Sequence, residues 1–170
     1  MKTKLVMGLL SLLGLASVAG AEPLAVGAAA PNVASVDQDG KPVDLKDYAK
    51  GPTLVYFYPK ADTPGCTKQA CSIRDDWSKL QDKGIKVLGV SEDKPDAQKK
   101  FKEKHNLPFT LVADSDGKFA NAFGVPVNVM GMTARQSFLI KDGKVVWTML
   151  KASTAGHAAD VLKAYEELKP

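Results

Sequence analysis

Thr53-Leu-Val-Tyr-Phe-Tyr58, followed directly by Pro59-Lys-Ala-Asp-Thr63-Pro-Gly-Cys66-Thr-Lys-Gln-Ala-Cys71, is the stretch that decides the fold. Its first part is a short apolar and aromatic run, the mark of a buried central strand. Pro59 closes that run, and Pro64-Gly65 turn the chain into a helix. The helix is read from Cys66 to about Lys83, with Ile73, Trp77 and Leu80 on one face and Gly84 ending it. A buried strand, a tight turn and a helix make the first βα unit of an α/β domain.

Outward from this unit, Ile85 to Val90 reads as a second buried strand, Pro95 to His105 as a helix, and Phe109 to Val112 as a short strand. Phe119 to Phe123 reads as a helical turn. Ser137 to Ile140, a Lys141-Asp-Gly-Lys144 turn and Val145 to Leu150 read as a hairpin, and Ala155 to Leu168 as the closing helix. Before the central strand, Val33 to Val36, the turn Asp37-Gln-Asp-Gly-Lys41 and Pro42 to Leu45 form a small hairpin. Strands alternating with helices, then an antiparallel hairpin and a helix, predict an α/β sandwich with a mixed central sheet flanked by helices. With the N-terminal β-hairpin as an extension, this is the element order of a thioredoxin-like domain.

The chain has 170 residues, of which 45% are hydrophobic, enough for one domain with a packed core. At the amino end Lys2 and Lys4 precede the apolar stretch Leu5 to Val18 and the small-residue run Ala19-Gly20-Ala21, the pattern of a cleaved signal peptide. The expected organisation is therefore a signal peptide over 1–21 and a single domain over 22–170, exported and periplasmic, without stable membrane association after cleavage. Losing Lys2 and Lys4 lowers the formal charge from +4 to +2, too small an excess for a nucleic-acid partner. Lys99, Lys100, Lys102 and Lys104 read as a solvated face, and Trp77, Phe119, Phe123 and Trp147 as core.

Cys66 and Cys71 are the only cysteines. A nucleophilic cysteine works as thiolate, and the unpaired N–H groups of a helix start favour negative charge. Thr63 stands three residues earlier, able to place a hydroxyl near the sulfur or near a bound oxidant. Residues five apart in a regular helix have Cα atoms roughly 8–9 Å apart, beyond the ~7 Å reach of a disulfide. The two thiols therefore cannot pair unless the helix partly unwinds, which suits a redox switch better than a static staple. The position three after Cys66 is Gln69, so the C-x-x-C of a thiol–disulfide exchanger is absent. His105 and His157 lack ligand spacing to the cysteines and read as surface residues, so no metal or cofactor is expected.

The pattern Pro59-x-x-x-Thr63-x-x-Cys66, with Tyr56-Phe-Tyr-Pro-Lys60 before it and Gln69-Ala-Cys71 after it, resembles the peroxiredoxins. The likeness is to the bacterioferritin comigratory protein or PrxQ type, with two cysteines in one chain. It extends through Val87-Leu-Gly-Val-Ser-Glu-Asp-Lys-Pro95, Ala122-Phe-Gly-Val125 and Arg135-Gln-Ser-Phe-Leu-Ile140. The resemblance implies a thiol peroxidase acting on hydrogen peroxide and organic hydroperoxides. Cys66 would be the peroxidatic cysteine and Cys71 the resolving one, joined in an intramolecular disulfide. Pro59 and Thr63 would shape the pocket, with Arg135 as the active-site arginine. It further implies a thioredoxin-like reductant, and resolution within one chain leads to the expectation of a monomer. The competing readings are a periplasmic thiol–disulfide oxidoreductase and a redox sensor of the same fold.

Overall fold

The computed structural model describes residues 22–168; the signal-peptide expectation falls on residues outside that range. Seven strands form one open mixed sheet. They are β1 (Ala34–Asp37), β2 (Pro42–Asp44), β3 (Thr53–Phe57), β4 (Lys86–Ser91), β5 (Thr110–Ala113), β6 (Ser137–Lys141) and β7 (Lys144–Met149). Their order across the sheet is β2-β1-β5-β4-β3-β6-β7. Strands β3, β4 and β5 run parallel, while β6 pairs antiparallel with β3 and β1 antiparallel with β5. The two expected hairpins, β1–β2 and β6–β7, form the two edges.

β3 lies in the sheet interior between β4 and β6, with all five residues buried, as its unbroken apolar run demands. Its side chains alternate between the two faces. Val55 and Phe57 join a core with Phe119, Phe123 and Phe138 under helix α4 (Lys118–Phe123). Leu54, Tyr56 and Tyr58 join the other core, which is covered by α1 (Pro64–Asp75), α2 (Trp77–Asp82), α3 (Pro95–Lys104) and α5 (His157–Glu167). Close packing sets one residue in this layer. Gly89 of β4 stands beside Tyr56, and a Cβ there would fall 2.7 Å from the Tyr56 hydroxyl and 2.8 Å from Leu111.

Several expectations change. The helix read from Cys66 to Lys83 begins two residues earlier, with Pro64 at its first position where a missing N–H costs nothing. It is also two helices, because the backbone leaves helical geometry at Asp76 (φ −100°, ψ 19°). His157 is not on the surface. It is fully buried at the start of α5, its Nε2 3.0 Å from the Ser137 hydroxyl, and burial lowers its pKa to about 4. His105, also read as a surface residue, is mostly covered and engages Asp62 at 2.9 Å. Of the lysine face, Lys99 and Lys104 are solvated as expected, but Lys102 folds back to donate to the carbonyls of Leu107 and Phe109. Phe119 and Phe123 are fully buried, whereas Trp77 and Trp147 pack half-buried against the core.

Candidate active site

The site forms at the carboxyl end of β3, where the chain leaves the sheet through Tyr58 and Pro59 and enters α1. Three tethers shape this connection. Tyr58 still pairs with β4 through its N–H to the Val90 carbonyl, 3.0 Å. The Thr133 hydroxyl donates to the Tyr58 carbonyl at 2.9 Å. The Asp93 carboxylate, just beyond β4, accepts from the Ala61 N–H at 2.7 Å and from the Ser91 hydroxyl at 2.7 Å. Asp62 then takes a left-handed conformation, φ 59°, and Thr63 turns the chain into the helix.

Cys66 is the third residue of α1 and is buried, with 1% of its surface exposed. Pro64 has no N–H, and the first intrahelical bond runs from Thr67 N–H to the Thr63 carbonyl, 2.8 Å. The Gly65 and Cys66 N–H groups thus have no helical acceptor. The Thr63 side chain does not cap them, because its hydroxyl donates to the Lys60 carbonyl at 2.9 Å. The hydroxyl lone pairs of Thr63 remain as acceptors. No acidic residue occupies the first turn to oppose a negative charge.

Arg135 arrives from the segment before β6, which β-pairing sets beside the end of β3: Phe57 N–H donates to the Gln136 carbonyl at 2.7 Å. Its Nη2 lies 3.3 Å from Cys66 Sγ and its Nη1 donates to Gln69 Oε1 at 2.5 Å. Gln69 is fully buried on the same face of α1 as Cys66, one turn on. Gly65 makes room for this arrangement, since a Cβ there would stand 3.2 Å from Arg135 Nη2 and 3.6 Å from Thr154 Cγ2. The Arg135 guanidinium thus meets the sulfur at the amino end of α1, where the Gly65 and Cys66 N–H groups lack helical acceptors, and both features favour negative charge on an oxygen placed beside the sulfur.

Cys71 is on α1 as well, half-buried, and both cysteines are free thiols. Five residues of intact helix place it about 140° around the axis from Cys66 and roughly 8–9 Å away. That is beyond disulfide reach. Pro59 is half-buried and lines a cleft of about 220 Å³ with Glu92, Asp93, Met130 and Met132. Among the described residues no group of three or more His, Cys, Asp or Glu is placed to hold a metal ion.

Of the five residues expected at the site, Cys66 and Arg135 are in contact. Pro59 and Thr63 belong to the connection leading into α1, and Cys71 faces away on the same helix. Sequence reasoning missed Gln69 and Asp93. Gln69 was quoted only for likeness, in Gln69-Ala-Cys71, and as the residue standing in place of a second C-x-x-C cysteine; its partner Arg135 is 66 residues away. Asp93 lay inside a stretch quoted only for its likeness, Val87 to Pro95, and its tether to Ala61 spans 32 residues.

The AhpC/TSA family model matches residues 26–148. A peroxiredoxin Bcp of Escherichia coli K12 is 44% identical over 152 residues, 85% of this chain and 97% of that one. A putative chloroplastic peroxiredoxin Q of indica rice is also 44% identical, over 121 residues; the chain spans 56% of that relative's length. Among solved structures, BcpB of Mycobacterium tuberculosis superposes with a TM-score of 0.80 at 31% identity, covering 85% of this chain and 98% of that one. A peroxiredoxin Q of Xanthomonas campestris gives 0.75 at 30% identity, covering 81% and 92%. Its thioredoxin-like fold, its sequence over nearly the whole described range and its relatives agree: this chain belongs to the AhpC/TSA family, alongside peroxiredoxins of the Bcp and Q type.

Proposed function

We infer that the protein is a thiol-dependent peroxidase that reduces hydrogen peroxide and organic hydroperoxides. The observation that carries this reading is the Arg135 Nη2 to Cys66 Sγ contact of 3.3 Å at a helix start whose first two N–H groups are free. The Cys66 thiolate attacks one peroxide oxygen, the S–O bond forms as the O–O bond breaks, and the other oxygen leaves with the electron pair as hydroxide or alkoxide. Arg135 and the Gly65 and Cys66 N–H groups stabilise the charge that develops on that oxygen. Thr63, whose hydroxyl hydrogen is committed to Lys60, accepts a hydrogen bond from the peroxide O–H and orients it. Pro59 walls the approach.

The Cys66 sulfenic acid is then attacked by the Cys71 sulfur, which expels water and leaves a Cys66–Cys71 disulfide. This step needs α1 to unwind between the two residues. Two electrons from a thioredoxin-type dithiol restore both thiols. Because both sulfurs come from one chain, the cycle closes in a monomer. The leader pattern of Lys2, Lys4 and Leu5 to Val18 supports an exported, periplasmic protein. There the reductant would be a thioredoxin-like domain supplied with electrons across the membrane.

Rapid mixing of the reduced protein with hydrogen peroxide tests the reading. Trp77 begins the helix after α1 and packs against Phe109 at 5.9 Å, so its fluorescence reports rearrangement of α1. A fast change, linear in peroxide concentration and absent in Cys66→Ser, is expected. A slow reaction, or one retained in Cys66→Ser, contradicts it.

A further inference from the structure

Resting on the peroxidase reading, we propose that Asp62 is a positioning residue whose contacts with the end of α3 hold α1 wound, and so decide how the Cys66 sulfenic acid divides between disulfide and over-oxidation. Asp62 is one residue before the helix cap, in the left-handed conformation. Its Oδ2 accepts from Lys104 Nζ at 2.7 Å and its Oδ1 from His105 Nε2 at 2.9 Å. Facing a carboxylate at that distance, Nε2 must carry the hydrogen. These two bonds, His105's first, hold the Asp62 carboxyl below the usual range.

The same end of α3 holds the far end of α1. Arg74 Nη1 donates to the His105 carbonyl at 2.8 Å, capping the last turn of α3. Residues 104 and 105 thus pin α1 at both ends, through Asp62 ahead of it and Arg74 within its last turn. Between the pins lie Cys66 and Cys71.

The consequence follows from chain length. A helix rises 1.5 Å per residue, while extended chain covers about twice that. The ten helical steps from Pro64 to Arg74 therefore span about 15 Å when wound and want to lengthen when they unwind. With both ends fixed, the released backbone has to loop outward within an unchanged span, which restricts its conformations and raises the free energy of the unwound state. Freeing the Asp62 end relaxes that restriction. A second tether, Ala61 to Asp93, keeps the pocket-side half of the connection in place. Losing the Asp62 contacts should therefore affect unwinding more than peroxide attack. The Lys104 contact is solvent-exposed and the His105 contact partly so, so their combined effect on the unwinding equilibrium is modest, about three- to tenfold.

The test measures two quantities on the full protein after mixing with hydrogen peroxide. They are the rate of disulfide formation and the peroxide concentration at which half of Cys66 becomes sulfinic acid in one turnover, read by mass spectrometry. Asp62→Asn keeps a residue that tolerates φ 59° while removing the charge. It is expected to raise both quantities about three- to tenfold with the first oxidation step changed less than twofold. Lys104→Met, which breaks one arm from the α3 side without altering the connection, is expected to shift both the same way by a smaller factor. Unchanged partition in the two variants overturns the proposal. So does a first step that slows in proportion, or a shift confined to Asp62→Asn, which would locate the effect in residue 62 rather than in its grip on α3. A wild-type protein that forms no Cys66-dependent disulfide would overturn the peroxidase reading itself, a result distinct from all of these.

Discussion

The two halves of α1 are built to different standards. From Pro64 to Cys71 the helix buries only Cys66, Gln69 and Ala70, all small or polar. Beyond Cys71 it buries Ile73 completely, offers the Ser72 hydroxyl to the Ala158 N–H at 3.3 Å, and anchors Arg74 on α3. Full burial of a side chain such as Ile73 contributes about 1.5–3 kcal/mol, whereas an alanine methyl contributes about 0.8. Stability within one helix is thus concentrated past the second cysteine, and the half that the proposed cycle unwinds has little apolar contact to lose. A weak segment at a functional site is not a defect here. On the proposed cycle it would let the same residues be rigid enough to present Cys66 to Arg135 and loose enough to deliver it to Cys71.

The comparison can be broken at its functional end first. Cys71→Ser leaves Cys66, Arg135 and the start of α1 untouched, so the first oxidation should proceed within a few-fold of the wild-type rate. Turnover should then stop, with sulfenic and sulfinic acid accumulating on Cys66. Sustained consumption of peroxide by this variant under a thioredoxin-type reductant would remove Cys71 from the cycle. Next in size is Arg135→Ala, which takes away a cation in contact with the sulfur and leaves the buried Gln69 side-chain oxygen without its donor. The rate of peroxide attack is expected to fall about 10²–10³-fold, the scale of losing one transition-state donor. Stopped-flow measurement would show it, and an unchanged rate constant would mean that the contact is structural only.

A smaller effect sharpens the other half. His157 opens α5, next to the Ala158 N–H that reaches Ser72, and burial holds its pKa at about 4. A histidine pKa lowered in the fold gives stability that is complete above the unfolded value near 6.5. It is lost as pH falls from there toward 4, because the unfolded chain then binds a proton that the folded one refuses. The total is about 3 kcal/mol. Urea denaturation at pH 7 and pH 4.5 should show this loss in the wild type, with a flatter pH dependence in His157→Phe. Equal slopes would show that His157 is not held neutral by the fold.

Much of this was legible from local chemistry. The unbroken run Thr53 to Tyr58 could only be a buried strand, and Pro64-Gly65 before Cys66 announced a helix start. The turns Asp37 to Lys41 and Lys141 to Lys144 marked two hairpins that form. The break at Asp76 was hidden because Ile73, Trp77 and Leu80 keep helical spacing straight across it. The clue was Asp76 itself, a residue type favoured at helix starts, paired with Lys79 three residues on. The burial of His157 and the inward turn of Lys102 depend on Ser137 and on the carbonyls of Leu107 and Phe109. Periodicity carries no trace of such partners, which only the assembled sheet supplies. The five candidate site residues were named from the likeness to the family, but the grip of Gln69 on Arg135 and of α3 on Asp62 required the fold.

Hydrogen exchange of the α1 amides, compared between the reduced protein and the protein after one equivalent of peroxide, tests the central claim most directly. Unwinding between the cysteines predicts that protection is lost on oxidation from residue 67 to about residue 75, whose amides donate to carbonyls four residues back within or before the unwound segment, while the Leu80 amide, bonded to the Asp76 carbonyl, keeps its own. A Cys66–Cys71 disulfide formed with protection across 67–71 intact would contradict the account.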